Sequence, residues 1–180
     1  MRILVIGASG SGTSTLAKAL AISLNSHHVD ADDYYWLPTS PPFTSKRDSE
    51  ERLSAITKIL SSLSDAVVAG SILEWGEALE NSFDFIVFLY LPENIRMSRI
   101  KERELARYGK EVDAKFLSWA GQYDEGVRSG RSLARHQDWL AKRNCPILRL
   151  DGDISVEERV RLVRTALLDH GLLTTSGPSI

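Results

Sequence analysis

The sequence predicts an α/β protein in which a five-stranded parallel sheet is covered by helices on both faces. Three observations carry that expectation. Short apolar runs alternate with segments of helical periodicity along the 180 residues. The central runs are apolar at successive positions, as strands buried on two faces must be. The first run leads straight into a glycine-rich turn that opens a helix.

Residues 2–6 are a β-branched apolar strand, and residues 14–24 carry apolar side chains at helical spacing. Residues 27–30 form a short second strand. An irregular stretch over 34–45 follows, with Pro38, Pro41 and Pro42. Residues 49–63 are amphipathic, with Leu53, Ile56, Ile59, Leu60 and Leu63 on one face. Residues 66–69 and 85–91 are buried strands. Pro92 opens a helix over 92–107, and 113–123 and 131–143 are two more helices. Residues 147–150 are the fifth strand. A last helix over 155–169 begins with a capping box, Ser155 and Glu158, and stops at Gly171. A loose tail is expected from about 172 to 180. The three consecutive helices break the alternation, so residues 93–143 are expected to form a helical lid on one domain spanning 1–180.

Composition narrows the function. The formal charge is −2, which argues against bulk electrostatic binding of nucleic acid. No apolar run approaches the roughly 18 residues of a membrane span. The single cysteine, Cys145, excludes an intrachain disulfide and suits a reducing cytoplasm. The charge is unevenly spread. Residues 93–143 carry 12 Lys and Arg against 8 Asp and Glu, a net of +4, which leaves −6 for the rest of the chain.

The most specific motif is Gly7-Ala8-Ser9-Gly10-Ser11-Gly12-Thr13-Ser14-Thr15. Its glycine spacing and strand–helix setting match the phosphate loop G-x-x-x-x-G-K-[ST]. Backbone N–H groups there would hold phosphate oxygens, with Ser14 on Mg²⁺. Thr13 stands where the lysine belongs, and Lys18 lies more than a turn further along the helix. The dinucleotide pattern G-x-G-x-x-G is not met, although a dinucleotide site or a plain tight turn remain the alternatives.

Asp30, Asp32 and Asp33 follow the second strand, where ligands of parallel sheets sit. They are candidates for holding Mg²⁺, Asp30 and Asp32 first, and Asp32 for accepting a proton from an attacking hydroxyl. A capped, solvated turn is the plainer alternative. Tyr34, Tyr35 and Trp36 would wall a substrate pocket or fill a small satellite core. Gly70 and Ser71 at the third strand's end would let a ligand approach, and Trp75 is equally a contact or a core residue. Lys46, Arg47 and Arg52 would form a second cationic pocket if the acceptor is a nucleotide.

Arg99 with Arg103, and Arg131 with Arg135, are i,i+4 pairs, so each pair shares a helix face. They are candidate clamps for a migrating phosphoryl group, taking over part of the missing lysine's charge. A salt-bridged helix surface is the alternative. Phe116, Trp119, Tyr123, His136 and Trp139 read as core. The histidines show no metal-ligand spacing.

Taken together the motifs resemble the nucleoside and nucleotide kinase group of phosphate-loop proteins, which includes adenylate, cytidylate, shikimate and gluconate kinases. More narrowly, the GASGSGTST loop, the DADDYYWLPTSPPF segment, the RMSRIKERE helix and the FLSWAGQYD segment resemble bacterial adenylate kinase-like proteins. The resemblance reaches to about residue 170. It implies a three-layer P-loop NTPase fold with strand order 2-3-1-4-5, ATP on the glycine loop and Mg²⁺ beside it. It also implies an acceptor or Mg²⁺ at Asp30 or Asp32, and lid arginines at Arg99, Arg103, Arg131 and Arg135. The adenine would lie by Gly152 and Asp153. The activity implied is a kinase with ATP and a small-molecule phosphoryl acceptor as partners, in the cytoplasm, with homodimer formation left open. A nucleotide-binding sensor with little catalysis is the main alternative, because of Thr13, and a small reductase is the second.

Overall fold

The computed structural model describes residues 1–40, 42–109, 113–125 and 131–174. Five strands, β1 (Arg2–Gly7), β2 (His27–Asp30), β3 (Ala66–Ala69), β4 (Phe85–Tyr90) and β5 (Ile147–Asp151), form one all-parallel sheet. Its order is β2-β3-β1-β4-β5, the order that the resemblance implies. Helices α1 (Thr13–Ser23), α2 (Asp32–Tyr35), α3 (Ser49–Ser62), α4 (Glu77–Glu80), α5 (Glu93–Tyr108), α6 (Ala114–Gly121), α7 (Leu133–Leu140) and α8 (Val156–Asp169) join the strands. The two four-residue helices, α2 and α4, escape the sequence reading because one turn is too short to display a helical period.

The strands divide their side chains between two cores by the period-two geometry of extended chain. Leu4, Ile6, Val68, Ile86 and Phe88 face one side, against Ile56 and Leu60 of α3 and Trp139 and Leu140 of α7. Ile3, Val5, Val67, Phe85, Val87 and Leu89 face the other, against Leu16 and Leu20 of α1 and Val163 and Leu167 of α8. Burial on both faces explains why the central strands read as unbroken apolar runs.

The stretch expected as a lid is divided. α7 contributes Trp139 and Leu140 to the main core, and Trp139 Nε1 donates to buried Glu80 at 2.6 Å, so this end is part of the body. Residues 110–112 and 126–130 lie outside the described residues. Leu172 and Leu173 pack against the α1/α8 core, so the apolar end of the expected tail is docked; residues 175–180 lie outside the described residues.

Arg96 holds the outer helices in place. It is fully buried on α5 and donates to the carbonyls of Leu91 at 3.0 Å and Ala120 at 2.9 Å, and to Asp124 at 3.1 Å. Its guanidinium also stands 5.1 Å from the ring centre of Tyr123. These bonds fasten the end of α6 to the start of α5. Arg96→Ala is expected to lower unfolding stability by about 3 kcal/mol or more, because Asp124 and two buried carbonyls lose their partner. Urea unfolding followed by circular dichroism measures this.

Candidate active site

The sheet order sets the site. β1 runs between β3 and β4; the connection from β1 leads towards β2 and that from β3 towards β4, in opposite directions along the sheet, and a crevice opens at the C-terminal end of β1, where they part. The glycine turn lies at that end. A methyl on Gly7 would lie 2.5 Å from the Leu89 carbonyl oxygen, and one on Gly10 would lie 2.7 Å from the Arg96 carbonyl oxygen. Gly10 and Gly12 adopt φ of 84° and 94°, which other residues rarely tolerate. The loop therefore needs its glycines to pack against β4 and α5 and to turn into α1. Ser11 is fully buried, with its Oγ against Gly7, while Ser9, Thr13 and Ser14 are half-buried. Thr15 is exposed on α1.

Ser14 Oγ donates to Asp30 Oδ2 at 2.9 Å, and Asp30 Oδ1 accepts from the Asp32 amide at 3.1 Å. The first contact has the span of one edge of a Mg²⁺ octahedron, about 2.9 Å for metal–oxygen bonds of 2.0–2.1 Å. Among the described residues no three His, Cys, Asp or Glu side chains gather to hold a metal. A Mg²⁺ ion here would thus share Ser14 and Asp30 with phosphate oxygens and water, as Mg²⁺ usually does. The residues present fit such an ion.

Asp32 sits differently. Its carboxylate lies 3.6 Å from Arg131, with its side chain 43% exposed. Desolvation pushes its pKa above the usual carboxylate value, and Arg131 offsets only part of that rise. Asp33 is exposed. The three aspartates that look alike in sequence thus occupy three environments.

The aromatic loop is braced. Trp36 bridges Lys46, and Leu37 N donates to the Ser45 carbonyl, so the arms of the irregular stretch pair. Tyr35 stacks on Trp75 at 6.0 Å, and Arg52 lies 5.0 Å from both rings. Trp75 is 5% exposed, a core side chain backing Tyr35. Tyr34 and Tyr35 are half-buried against the same core, so these residues serve partly as the satellite core that sequence allowed. Trp36 packs edge-on against Phe43. Arg47 is occupied by the Tyr34 carbonyl at 3.1 Å.

Two expectations at the third strand change. Gly70 takes φ of 106°, and a methyl there would lie 3.2 Å from Ala31 Cβ, so the close approach is by the chain itself. Ser71 is buried, with its hydroxyl 3.5 Å from His136 Nε2. The arginines also separate. Arg99 pairs with Asp153, Arg131 with Asp32 and Arg135 with Glu74. Arg103 is exposed one turn beyond Arg99 and pairs with neighbouring Glu104, so the structure places it in a surface pair.

Sequence reasoning missed Arg159. It is 3% exposed on α8 and donates to the carbonyls of Ser11 and Gly152, each at 3.0 Å. The glycine loop and the turn after β5 are thus tied by one guanidinium. Gly152 takes φ of 87° with open space where a Cβ would stand. A signal was present: Arg159 precedes Val163 and Leu167 by one and two helical repeats, a cation on an otherwise apolar face.

Behind the site, fully buried His136 makes a 2.6 Å bond through Nδ1 to the Tyr123 hydroxyl. Burial, reinforced by Arg131 and Arg135, pushes its pKa down to about 3, while burial raises that of Tyr123. A histidine that stays neutral when folded but binds a proton when unfolded favours unfolding as pH falls below 6.5. Over pH 6.5 to 5 the ¹⁵N shifts of the His136 ring are expected to stay those of neutral imidazole. This group should remove up to about 1.4 kcal/mol of stability per pH unit in that window, read by urea unfolding.

The fold, a parallel sheet in the order β2-β3-β1-β4-β5 with a glycine loop after β1, is shared with several solved structures. Shikimate kinase from Aquifex aeolicus superimposes with a TM-score of 0.57 at 18% identity, covering 97% of this chain and 100% of that one. Deoxyadenosine kinase from M. mycoides gives 0.60 at 16%, covering 94% and 100%. A gluconokinase from Sinorhizobium meliloti 1021 gives 0.57 at 21%, covering 95% and 94%. Residues 3–118 match the family model described as AAA domain, and the chain belongs to that family. It is also 42% identical over 165 residues to the uncharacterized protein YqaC of Bacillus subtilis (strain 168), covering 87% of this chain and 91% of that one. Among the described residues no helix is long and apolar enough to cross a membrane.

Proposed function

We propose that this protein is an ATP-dependent kinase that transfers the γ-phosphoryl group to a hydroxyl of a small acceptor, a nucleotide, nucleoside or hydroxylated metabolite. The observation that carries the reading is the Ser14–Asp30 hydrogen bond at the mouth of the glycine loop, with the Asp32 carboxylate beside it. That arrangement gives phosphate-binding amides, a metal edge and a proton acceptor in one crevice. The kinase architecture of the structural neighbours supports it.

In this reading Gly7, Ser9, Gly10, Ser11, Gly12, Thr13, Ser14 and Thr15 frame the phosphates, and Gly152 with Asp153 borders the base. The acceptor hydroxyl gives its proton to Asp32 and its oxygen forms the new bond to Pγ. The bond from Pγ to the β-phosphate's bridging oxygen breaks, and ADP leaves with that electron pair. Bound Mg²⁺ supplies charge neutralisation on the phosphates. Asp30 keeps Ser14 and the Asp32 backbone in register. Arg131 holds the Asp32 carboxylate in place, and Arg135 lies one helical turn further along. The face of Tyr35, with Lys46 and Arg52 over it, borders the acceptor. The presence of a single cysteine, Cys145, supports a reducing, cytoplasmic setting.

One observation favours a second reading, a nucleotide sensor with little turnover: Thr13 brings no charge to the phosphates. Nucleotide binding by calorimetry, run beside ATP consumption on a panel of nucleosides, nucleotides and hydroxy acids, separates the two. Turnover with one acceptor class supports the kinase, and binding without turnover on any acceptor supports the sensor.

Two expectations belong to the kinase reading. Asp32→Asn should lower kcat by about a hundredfold or more with ATP affinity nearly unchanged, as loss of a general base does. The acid limb of kcat/KM should lie above the ordinary aspartate range, because the pKa of Asp32 is raised. Arg131→Ala removes a cation that favours the carboxylate, so it should move that limb to still higher pH.

A further inference from the structure

A nucleoside triphosphate concentrates negative charge on its β- and γ-phosphates, where a loop lysine ordinarily meets it. Thr13 leaves that charge unanswered within the loop. Two guanidiniums from other elements stand beside it. A methyl on Gly12, the residue before Thr13, would lie 3.2 Å from Arg159 Nη1 and 3.6 Å from Arg99 Nη1.

Their partners do not balance them. Arg159 is 3% exposed, and its bonds go to two neutral carbonyls, Ser11 and Gly152. Its Nε is buried without a partner. Arg99, 36% exposed, pairs with the carboxylate of Asp153, itself 44% exposed. Burial and the charge of Arg99 lower the pKa of Arg159 and the charge of Asp153 opposes them in part, although a guanidinium keeps its proton throughout the ordinary pH range. A neutral amide would serve to link two carbonyls. What arginine adds there is charge, and Arg99 and Arg159 beside the one carboxylate of Asp153 leave a positive excess that an anion would neutralise.

We propose that Arg159 and Arg99 together replace the missing lysine. Arg159 is a positioning residue, a fixed charge on the backbone of the phosphate loop. Arg99 is the movable ligand, exchanging Asp153 for the triphosphate. This rests on the reading of the loop as an ATP site.

The test is calorimetric titration of ATP·Mg²⁺, tripolyphosphate and AMP into the full chain and its variants. Arg99→Gln should weaken ATP and tripolyphosphate by about tenfold or more, with AMP much less affected. Arg159→Gln should do the same, and Arg159→Lys should retain part of the affinity. Asp153→Asn should tighten ATP by freeing Arg99. Thr13→Lys should change the wild-type affinity little but restore most of the loss in Arg99→Gln. If Arg159→Gln does not fold, the Arg99, Asp153 and Thr13 variants decide the matter. The proposal is overturned if both arginine variants bind ATP within about twofold of wild type. Equal loss of AMP and ATP overturns it too, and so does a Thr13→Lys gain of the same size in both backgrounds. A wild-type protein that binds neither ATP nor tripolyphosphate overturns this proposal together with the kinase reading. Normal wild-type binding with insensitive variants overturns this proposal alone.

Discussion

The parallel pairing of β1 with β3 on one side and β4 on the other is the constraint from which the rest of the structure follows. It sets the glycine turn at the centre of the sheet's C-terminal edge, beside the ends of β3 and β4. It brings Gly7 so close to the Leu89 carbonyl that no side chain fits. It also places the end of β2 one strand beyond β3, near enough for Asp30 to accept a bond from Ser14 sixteen residues earlier. A shift in this pairing would part the loop from both aspartates at once. The pairing is secured by two apolar cores that sandwich it, so the site is held by burial well away from it.

Charge is distributed over this frame with little redundancy. Asp30 is engaged on both oxygens, by a hydroxyl and a backbone amide, whereas Asp32 faces the Arg131 guanidinium at a looser distance. Residues of one type and nearly one position are thereby given different chemistry, which is how paired carboxylates divide acid, base and ligand roles elsewhere. The basic stretch of the chain is divided in the same way. Arg96 is buried as a structural rivet, Arg103 is a surface residue, and Arg99, Arg131 and Arg135 reach carboxylates on the segments that follow β5, β2 and β3.

The outer helices are attached to the sheet through polar contacts as well as apolar ones. Arg96 stands over Tyr123, Tyr123 bonds His136, and His136 approaches Ser71 at the end of β3. Each member is buried, so losing one leaves the others with unmet polar groups. Such a chain specifies one arrangement of α5, α6 and α7 more tightly than apolar packing would, since hydrogen bonds fix direction as well as distance. The charges of Arg131 and Arg135 act on His136 in this chain.

The amino-acid sequence by itself determined the strands, most of the helices, the glycine-rich loop and the resemblance to small-molecule kinases. These are written in local patterns: two-sided apolar runs, helical spacing, a capping box and glycines at fixed intervals. It also marked the departure at Thr13. Short helices such as α2 and α4 were illegible because one turn shows no period. Only the tertiary structure decided which of Asp30, Asp32 and Asp33 meets Ser14, that Trp75 and Ser71 are interior, and that Arg103 stays at the surface. It alone brought Arg159, 148 residues from Ser11, onto the backbone of the glycine loop. The physical reason is the range of the forces. Propensity and periodicity act over a few residues and leave a trace in the sequence. Burial, counter-ion choice and the approach of distant guanidiniums depend on which strands pair, and that is fixed only when the chain closes on its core.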